Sequence, residues 1–288
     1  MHWKKGKVNR DAQGNMNYYK DKAALITGGA SGIGRAICEE LGRMGAAVVV
    51  TDINAETADE VASSIIAAGG RAEAFKLDVT KKKDVEKIVE RTAKKYGRLD
   101  FIFNNAGIAI IGEVRDMTPD LWKKIIDINL MGVLYGTLAA YPVMVKQGFG
   151  HIINTSSQAG LYVVSGSTAY AAAKHGVVGL STSLRVEAAD LGVKVSVICP
   201  GSIKTNIINS STMLKINKED FLNKLPYNPM PVDKAVKIIL KKIAKNRSVI
   251  VLPFGASVMW WIHRISPGLW LTLCRFSMNY MRKLLREK

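Results

Sequence analysis

Short apolar runs recur along the first 250 residues, separated by longer stretches in which apolar residues return every three or four positions. The runs Ala23–Ile26, Ala46–Thr51, Ala72–Leu77, Leu99–Phe103, His151–Ser157, Val193–Cys199 and Ser248–Leu252 predict buried strands. Helical patterns lie between them over Arg35–Met44, Glu56–Ala68, Lys81–Tyr96, Pro119–Gln147, the stretch TAYAAAKHGVVGL and Val232–Ala244. Lys81–Tyr96 sets Val85, Ile88 and Val89 against a strongly charged outer face, and Pro119 suits the first turn of its helix. Strands alternating with amphipathic helices imply parallel βαβ units. The expected fold class is α/β, a doubly wound parallel sheet (Rossmann fold) with helices on both faces. Ligands of such sheets bind at the carboxyl ends of the strands.

The same pattern divides the chain. Residues 1–21 form a polar leader, 22–252 the α/β unit, and 253–288 an apolar, basic helical extension. Within the unit, 206–230 is the longest irregular stretch and mixes Ile207, Ile208, Met213, Leu214 and Phe221 with polar residues. It suits a lid over an apolar pocket or a packed surface excursion. Beyond the last strand, Phe254–Ile262 and Leu269–Phe276 are strongly apolar and carry Trp260, Trp261 and Trp270, with His263, Arg264 and Pro267 between them. Neither piece reaches the roughly 20 residues that cross a bilayer. Leu269–Leu285 can form a helix with Trp270, Leu273, Cys274, Met281 and Leu284 to one side and Arg275, Arg282 and Arg286 elsewhere. That arrangement suits an interfacial membrane helix, a subunit interface or a cover over an apolar site.

Composition adds bounds. With 48% hydrophobic and 23% charged residues in 288, the chain has the make-up of a folded protein, so disorder is expected only at the ends. The net charge is +17, and Lys241–Lys288 alone holds ten basic residues and one acid, Glu287. No helix-turn-helix pattern, zinc-ligand set or RNP-like motif accompanies that charge, which argues against a nucleic-acid partner. Cys38, Cys199 and Cys274 are far apart, odd in number and without metal-ligand spacing. They point to a reducing, cytoplasmic setting, with membrane association through 254–288 as an open option. Lys4, Lys5, Lys7 and Arg10 precede no apolar core, so no secretory signal is expected.

Chemistry enters at the strand ends. Thr27-Gly28-Gly29-Ala30-Ser31-Gly32-Ile33-Gly34 follows the first strand and opens a helix. A first glycine for the turn, Gly32 for close backbone approach and Gly34 for helix–strand packing make a cradle for a pyrophosphate at a helix N-terminus. Asp52 ends the second strand, 18 residues beyond Gly34, where a carboxylate can receive ribose hydroxyls. It would repel a 2′-phosphate, and Ser31 and Ile53 occupy places where basic residues would welcome one, so NAD is favoured over NADP; Arg35 is the basic residue nearby. Asp52 also suits a turn before Asn54. Asp78-Val79 and Asn104-Asn105-Ala106-Gly107 close the third and fourth strands. Asn129 falls within an apolar helical run, where a buried amide needs partners. Ser156 and Ser157 end the fifth strand, and Tyr170 follows Ser157 by 13 residues, with Lys174 at i+4. On a helix that spacing sets ammonium beside phenol, and a positive charge there lowers the phenol pKa from about 10 toward a working acid/base.

Taken together, Thr27–Gly34, Asn104–Gly107, Asn129, Ser157, Tyr170-x-x-x-Lys174 and Pro200-Gly201 with Thr205 resemble the motif set of the short-chain dehydrogenase/reductase family, from about Lys22 to Leu252. The resemblance implies Tyr170 as acid/base, Ser157 on the substrate oxygen, Lys174 on the ribose, and Asn129 supporting a water in a proton relay. It implies a cofactor held by Gly28, Ser31, Gly32, Ile33, Gly34, Asp52, Ile53, Asp78, Val79, Asn105, Ala106 and Gly107 with Tyr170 and Lys174. The turn Pro200, Gly201, Ile203, Thr205 would wrap the nicotinamide, with the Ile203 backbone and Thr205 hydroxyl on the carboxamide. It implies a dimer or tetramer built on the helices containing Asn129 and Tyr170. No metal is required. The expected activity is hydride transfer between NAD(H) and an apolar secondary alcohol or ketone, lipid-, steroid- or acyl-like, with Ile108, Leu161, Val163 and Val164 among the pocket candidates. A nucleotide-binding protein without turnover and a membrane-surface scaffold are the alternatives.

Overall fold

The computed structural model describes residues 18–223 and 229–284, so most of the polar leader and the last four residues of the extension lie outside the described residues. Seven strands form one wholly parallel sheet: β1 (Ala23–Thr27), β2 (Ala47–Asp52), β3 (Arg71–Lys76), β4 (Phe101–Asn104), β5 (Gly150–Thr155), β6 (Val193–Pro200) and β7 (Val249–Leu252). Their spatial order is β7-β6-β5-β4-β1-β2-β3, which makes the gap between β1 and β4 the point where the winding reverses. Register is continuous across that point, with Ile26 opposite both Val50 and Phe103. The chain is a doubly wound α/β protein.

Both faces of the central strands are covered, which is why β1, β2 and β4 read as unbroken apolar runs, whereas the edge strand β3, RAEAFK, is only partly buried and carries charges. On one face Ile37 and Leu41 of α1 (Gly32–Arg43), Val61 and Ile65 of α2 (Ala55–Ala67), and Ile239 and Leu240 of a later helix pack on Ile26, Val48 and Val50. On the other, Val89 of α3 (Lys82–Tyr96) and Ala140 and Met144 of the central helix pack on Leu25, Val49 and Ile102. The leader meets the core at its end: Tyr19 is fully buried against Phe101 and donates its hydroxyl to the Leu240 carbonyl at 2.8 Å.

The expected single helix over 119–147 is instead α4 (Pro119–Ile126), a π turn at Asp127–Met131 and α5 (Gly132–Gln147). This 29-residue stretch is apolar enough to cross a membrane, yet Val133, Ala140 and Met144 are buried within the protein. It is a core helix. Past it come α6 (Thr168–Glu187), α7 (Lys218–Asn223), α8 (Val232–Ala244), α9 (Phe254–Ile265) and α10 (Pro267–Leu284). The extension holds two helices, divided at Ser266 with Pro267 opening the second, where the sequence separates its two apolar pieces.

Candidate active site

The carboxyl ends of β1, β2, β4, β5 and β6 gather the predicted residues along one edge of the sheet. At the glycine loop the backbone explains the residue types. Gly28 has φ +64°, and a Cβ there would lie 2.8 Å from the Ala106 Cα; one on Gly34 would run into the Gly28 carbonyl. The loop after β4 is tied to the first by shared hydrogen bonds. Thr27 Oγ1 accepts from the backbone N–H of Asn105 at 3.0 Å and of Ala106 at 3.1 Å, while Asn105 Nδ2 donates to the carbonyls of Thr27 and Gly28 at 3.2 Å each. Ser31 precedes α1 in extended conformation and makes no side-chain cap, and no acid sits in the first turn. The opening N–H groups of α1 therefore keep their capacity for an anion.

Asp52 ends β2 with one carboxylate oxygen accepting from Ala30 N and the other from Asn54 N, both at 3.1 Å. It organises its turn and anchors the glycine loop at once. Ile53 beside it is exposed; Asp78 is engaged by the Thr80 hydroxyl and N–H, and Val79 is buried against Gly132. The turn after β6 returns to the glycine loop: Gly201 N donates to Leu252 O, Ile203 is buried, and Thr205 lies within 3.4 Å of where a Gly32 Cβ would stand. Loop, helix terminus, carboxylate and turn thus lie together along one edge of the sheet, and Gly28 and Gly34 admit no Cβ. These residues fit a dinucleotide.

The proton-transfer candidates meet at the next strand end. β5 stops at Thr155, so Ser156 and Ser157 sit beyond the strand rather than within it. The two serines have different work. Ser156 is buried and donates to the Lys174 carbonyl at 2.7 Å, which fixes α6 to the strand end; the Ser157 hydroxyl accepts from Ala159 N at 3.2 Å and is near enough to the Tyr170 phenol to hold its pKa down. Lys174 Nζ is buried, lies 5.6 Å from the Tyr170 ring centre and donates to the Thr155 carbonyl at 2.9 Å. Burial lowers its pKa to about 8. Burial also raises the Tyr170 phenol above its ordinary value, opposed by the Ser157 hydroxyl. The Lys174 ammonium stands beside the phenol ring and gives one of its three N–H groups to the Thr155 carbonyl.

Asn129 lies in the π turn, fully buried, and its amide is taken by one partner. Oδ1 accepts from Ile108 N at 3.0 Å, and Nδ2 donates to Ile108 O at 2.9 Å. A Cβ on Gly107 would stand 2.7 Å from Asn129 Oδ1 and 3.5 Å from Lys174 Nζ, so Gly107 joins the two candidates by leaving room between them. Sequence reasoning passed over Thr27 and Thr155, whose contributions are a hydroxyl acceptor and a backbone carbonyl. Thr27 opens the glycine motif and carries a signal; a carbonyl carries none.

The substrate side is built differently. The stretch 206–230, expected to be irregular, includes the short strand Thr212–Met213, paired in parallel with Ile110–Ile111, and α7; residues 224–228 lie outside the described residues. Leu214 packs with Ile108, Ile110 and Leu121. Leu161 belongs to a cluster with Tyr162, Trp260 and Trp270, while Val163 is partly exposed. Over this loop lies α10. Its Trp270 indole donates to Val163 O at 3.0 Å and meets the Tyr162 ring edge-on, Ser165 donates to Cys274 O at 3.0 Å, and Arg282 pairs with Glu113 at 2.7 Å. Through these contacts α10 is packed on the 163–166 loop.

The chain resembles known proteins. The sequence profile described as short chain dehydrogenase matches residues 22–215. A cyclohexanol dehydrogenase of Acinetobacter sp. (strain SE19) is 40% identical over 195 residues, covering 67% of this chain and 77% of the relative. A 3beta-hydroxysteroid dehydrogenase 2 of Eggerthella lenta is 38% identical over 188 residues, 65% and 72% of the two chains. Among solved structures, a short chain dehydrogenase/reductase from Burkholderia phymatum in complex with NAD superposes with a TM-score of 0.80 at 24% identity, covering 87% of this chain and 95% of that one. The chain belongs to the short chain dehydrogenase family, a family of oxidoreductases.

Proposed function

We propose that this protein transfers hydride between NAD(H) and an apolar secondary alcohol or ketone. The observation that carries the reading is the buried Lys174 ammonium, 5.6 Å from the Tyr170 ring centre and held on the Thr155 carbonyl where β5 ends, on the same sheet edge as the glycine loop. A nicotinamide cofactor, when bound, supplies the hydride acceptor or donor. The chain's own residues handle position and proton. Gly28, Ser31, Gly32, Ile33 and Gly34 would receive the pyrophosphate. Asp52 would take the ribose hydroxyls, which favours NAD because its carboxylate repels a 2′-phosphate. In alcohol oxidation the Tyr170 phenolate accepts the hydroxyl proton, and Ser157 donates a hydrogen bond to the substrate oxygen as its charge changes. Lys174 is placed to hold a ribose and to pass charge toward Tyr170. The Asn129 amide is engaged by Ile108, so a relay water would have to rest on another Asn129 atom or on Lys174.

An apolar substrate is supported by Ile108, Ile110, Leu161, Leu214 and the methionines of α10 on the substrate side, and by relatives named for cyclohexanol and a 3beta-hydroxysteroid. The test is nicotinamide absorbance across a panel of alicyclic and steroidal alcohols and ketones, with NAD(H) and NADP(H) in parallel. Turnover with higher kcat/KM for NAD is expected, and Tyr170→Phe lowers kcat by about 10²–10⁴-fold with cofactor affinity retained. Cofactor binding without turnover, unchanged by Tyr170→Phe, would make the protein a nucleotide binder; preference for NADP would remove the role given to Asp52.

A further inference from the structure

The extension has a second surface that the substrate side leaves uncovered. On α9, Phe254, Val258, Trp261 and Ile265 recur at i, i+4, i+7 and i+11, one stripe of the helix, on the far side from buried Ala256. Phe254 is 82% exposed, Ile265 80% and Trp261 57%. On α10 the same spacing gives Leu269, Leu273, Phe276 and Tyr280, all exposed, with Phe276 at 68%. This stripe is separate from the docked one of Trp270, Cys274, Met278 and Met281. Two consecutive helices that turn apolar rows outward invert the pattern of a surface helix.

Charge selects the occupant. From Phe254 to Leu284 there is no acidic residue, while Arg264, Arg275 and Lys283 are exposed. Arg264 lies over the rings of Trp260 and Trp261, at 5.4 and 5.6 Å, so cation and indole are presented side by side. Arg282 is committed to Glu113. A second copy meeting this face about a two-fold axis would set like charges against each other. An anionic bilayer takes both features at once, apolar rows in the acyl boundary and cations among phosphates, with tryptophan at the interface. We infer that the outward faces of α9 and α10 dock this protein on anionic lipid membranes, without crossing them. Because α10 also lies on the 163–166 loop, a bilayer on its outer face would sit within about 10 Å, one helix diameter, of the substrate side.

The test is flotation of the full chain with phosphatidylcholine vesicles and with vesicles containing phosphatidylglycerol, which needs no substrate and stands apart from the oxidoreductase reading. The chain should float with phosphatidylglycerol vesicles and bind phosphatidylcholine about tenfold less or worse. Phe254→Ser/Trp261→Ser/Ile265→Ser/Phe276→Ser should lose binding to both. Arg264→Glu/Arg275→Glu/Lys283→Glu, with the apolar rows intact, should lose the preference for anionic lipid, and so should the unsubstituted chain in ~0.5 M salt. Brominated lipid should quench tryptophan emission of the unsubstituted chain, a readout independent of variant folding. Absence of flotation and quenching for the unsubstituted chain overturns the inference. So does an apolar variant that leaves vesicle binding unchanged, or one that lowers the oligomeric mass in sedimentation while the unsubstituted chain binds no vesicle; the last result makes the face an interface between copies.

Discussion

On the nucleotide side of the cleft, between Thr27 and Gly107, the loops are held by backbone geometry. Thr27 and Asn105 cross-link the two loops through four hydrogen bonds, and Gly28, Gly34 and Gly107 stand where a Cβ meets backbone or a buried side chain. On the substrate side, between Leu161 and Leu284, closure is by side chains: an indole on a carbonyl, a serine on the α10 backbone, one exposed ion pair and methionines. The family profile ends at residue 215, before α8, α9 and α10. A site binding one unchanging cofactor tolerates little movement, so its fit is written into main chain. A site whose substrate differs between relatives can be recut by side chains on helices added outside the sheet.

The contrast is broken most directly at Gly34. Gly34→Ala drives a methyl into the Gly28 carbonyl and Asn105 amide, neither of which is a flexible chain end. It should raise the cofactor Kd by tenfold or more, at a stability cost of about 1–3 kcal/mol. Isothermal titration and thermal melts check both, and unchanged affinity would mean that the loop can move. The next largest effect sharpens how rigid the sheet is beneath both sides. His151 is buried; because Ser196 Oγ donates to Arg247 O, the His151 Nε2–H donates to Ser196 Oγ at 2.8 Å, and Nδ1 has no partner among the described residues. Burial lowers its pKa to about 3. The unfolded chain, with histidine near 6.5, then binds the extra proton first. Stability is therefore fully present above pH ~6.5 and falls on acidification by up to about 1.4 kcal/mol per pH unit toward pH 3. Urea melts at pH 7, 5.5 and 4.5 should show that slope, reduced in His151→Asn. The smallest effect belongs to the substrate side. A double-mutant cycle of Glu113→Gln and Arg282→Met should give only a small coupling, since the arginine is exposed to solvent, and should change KM for large substrates more than KM for NAD.

Much of the nucleotide side was legible in the sequence because period and glycine placement are local. The seven predicted runs correspond to the seven strands within a residue or two at their ends; the central ones are apolar because both their faces are buried, while the edge strand β3 keeps charged residues. Gly28–Gly34, Asp52, Asn105 and Tyr170-x-x-x-Lys174 could be picked out because turn, cap and i+4 spacing are short-range rules. The extension was harder. Trp270, Leu273 and Cys274 looked like one face, but the structure docks Trp270 and Cys274 and leaves Leu273 outside, a division set by the loop at 163–166 more than a hundred residues away.

What the sequence alone determined is the wound sheet, the positions of its strand ends and the residue types offered there. Only tertiary structure decided how those residues are used. The π turn lets Asn129 spend its amide on Ile108; Ser156 goes to the Lys174 carbonyl; and the Lys174 ammonium turns to Thr155. Each of these choices joins segments 18 or more residues apart through a buried polar group. Such groups must be satisfied, but the chain does not say by which partner until packing removes water and leaves one within reach.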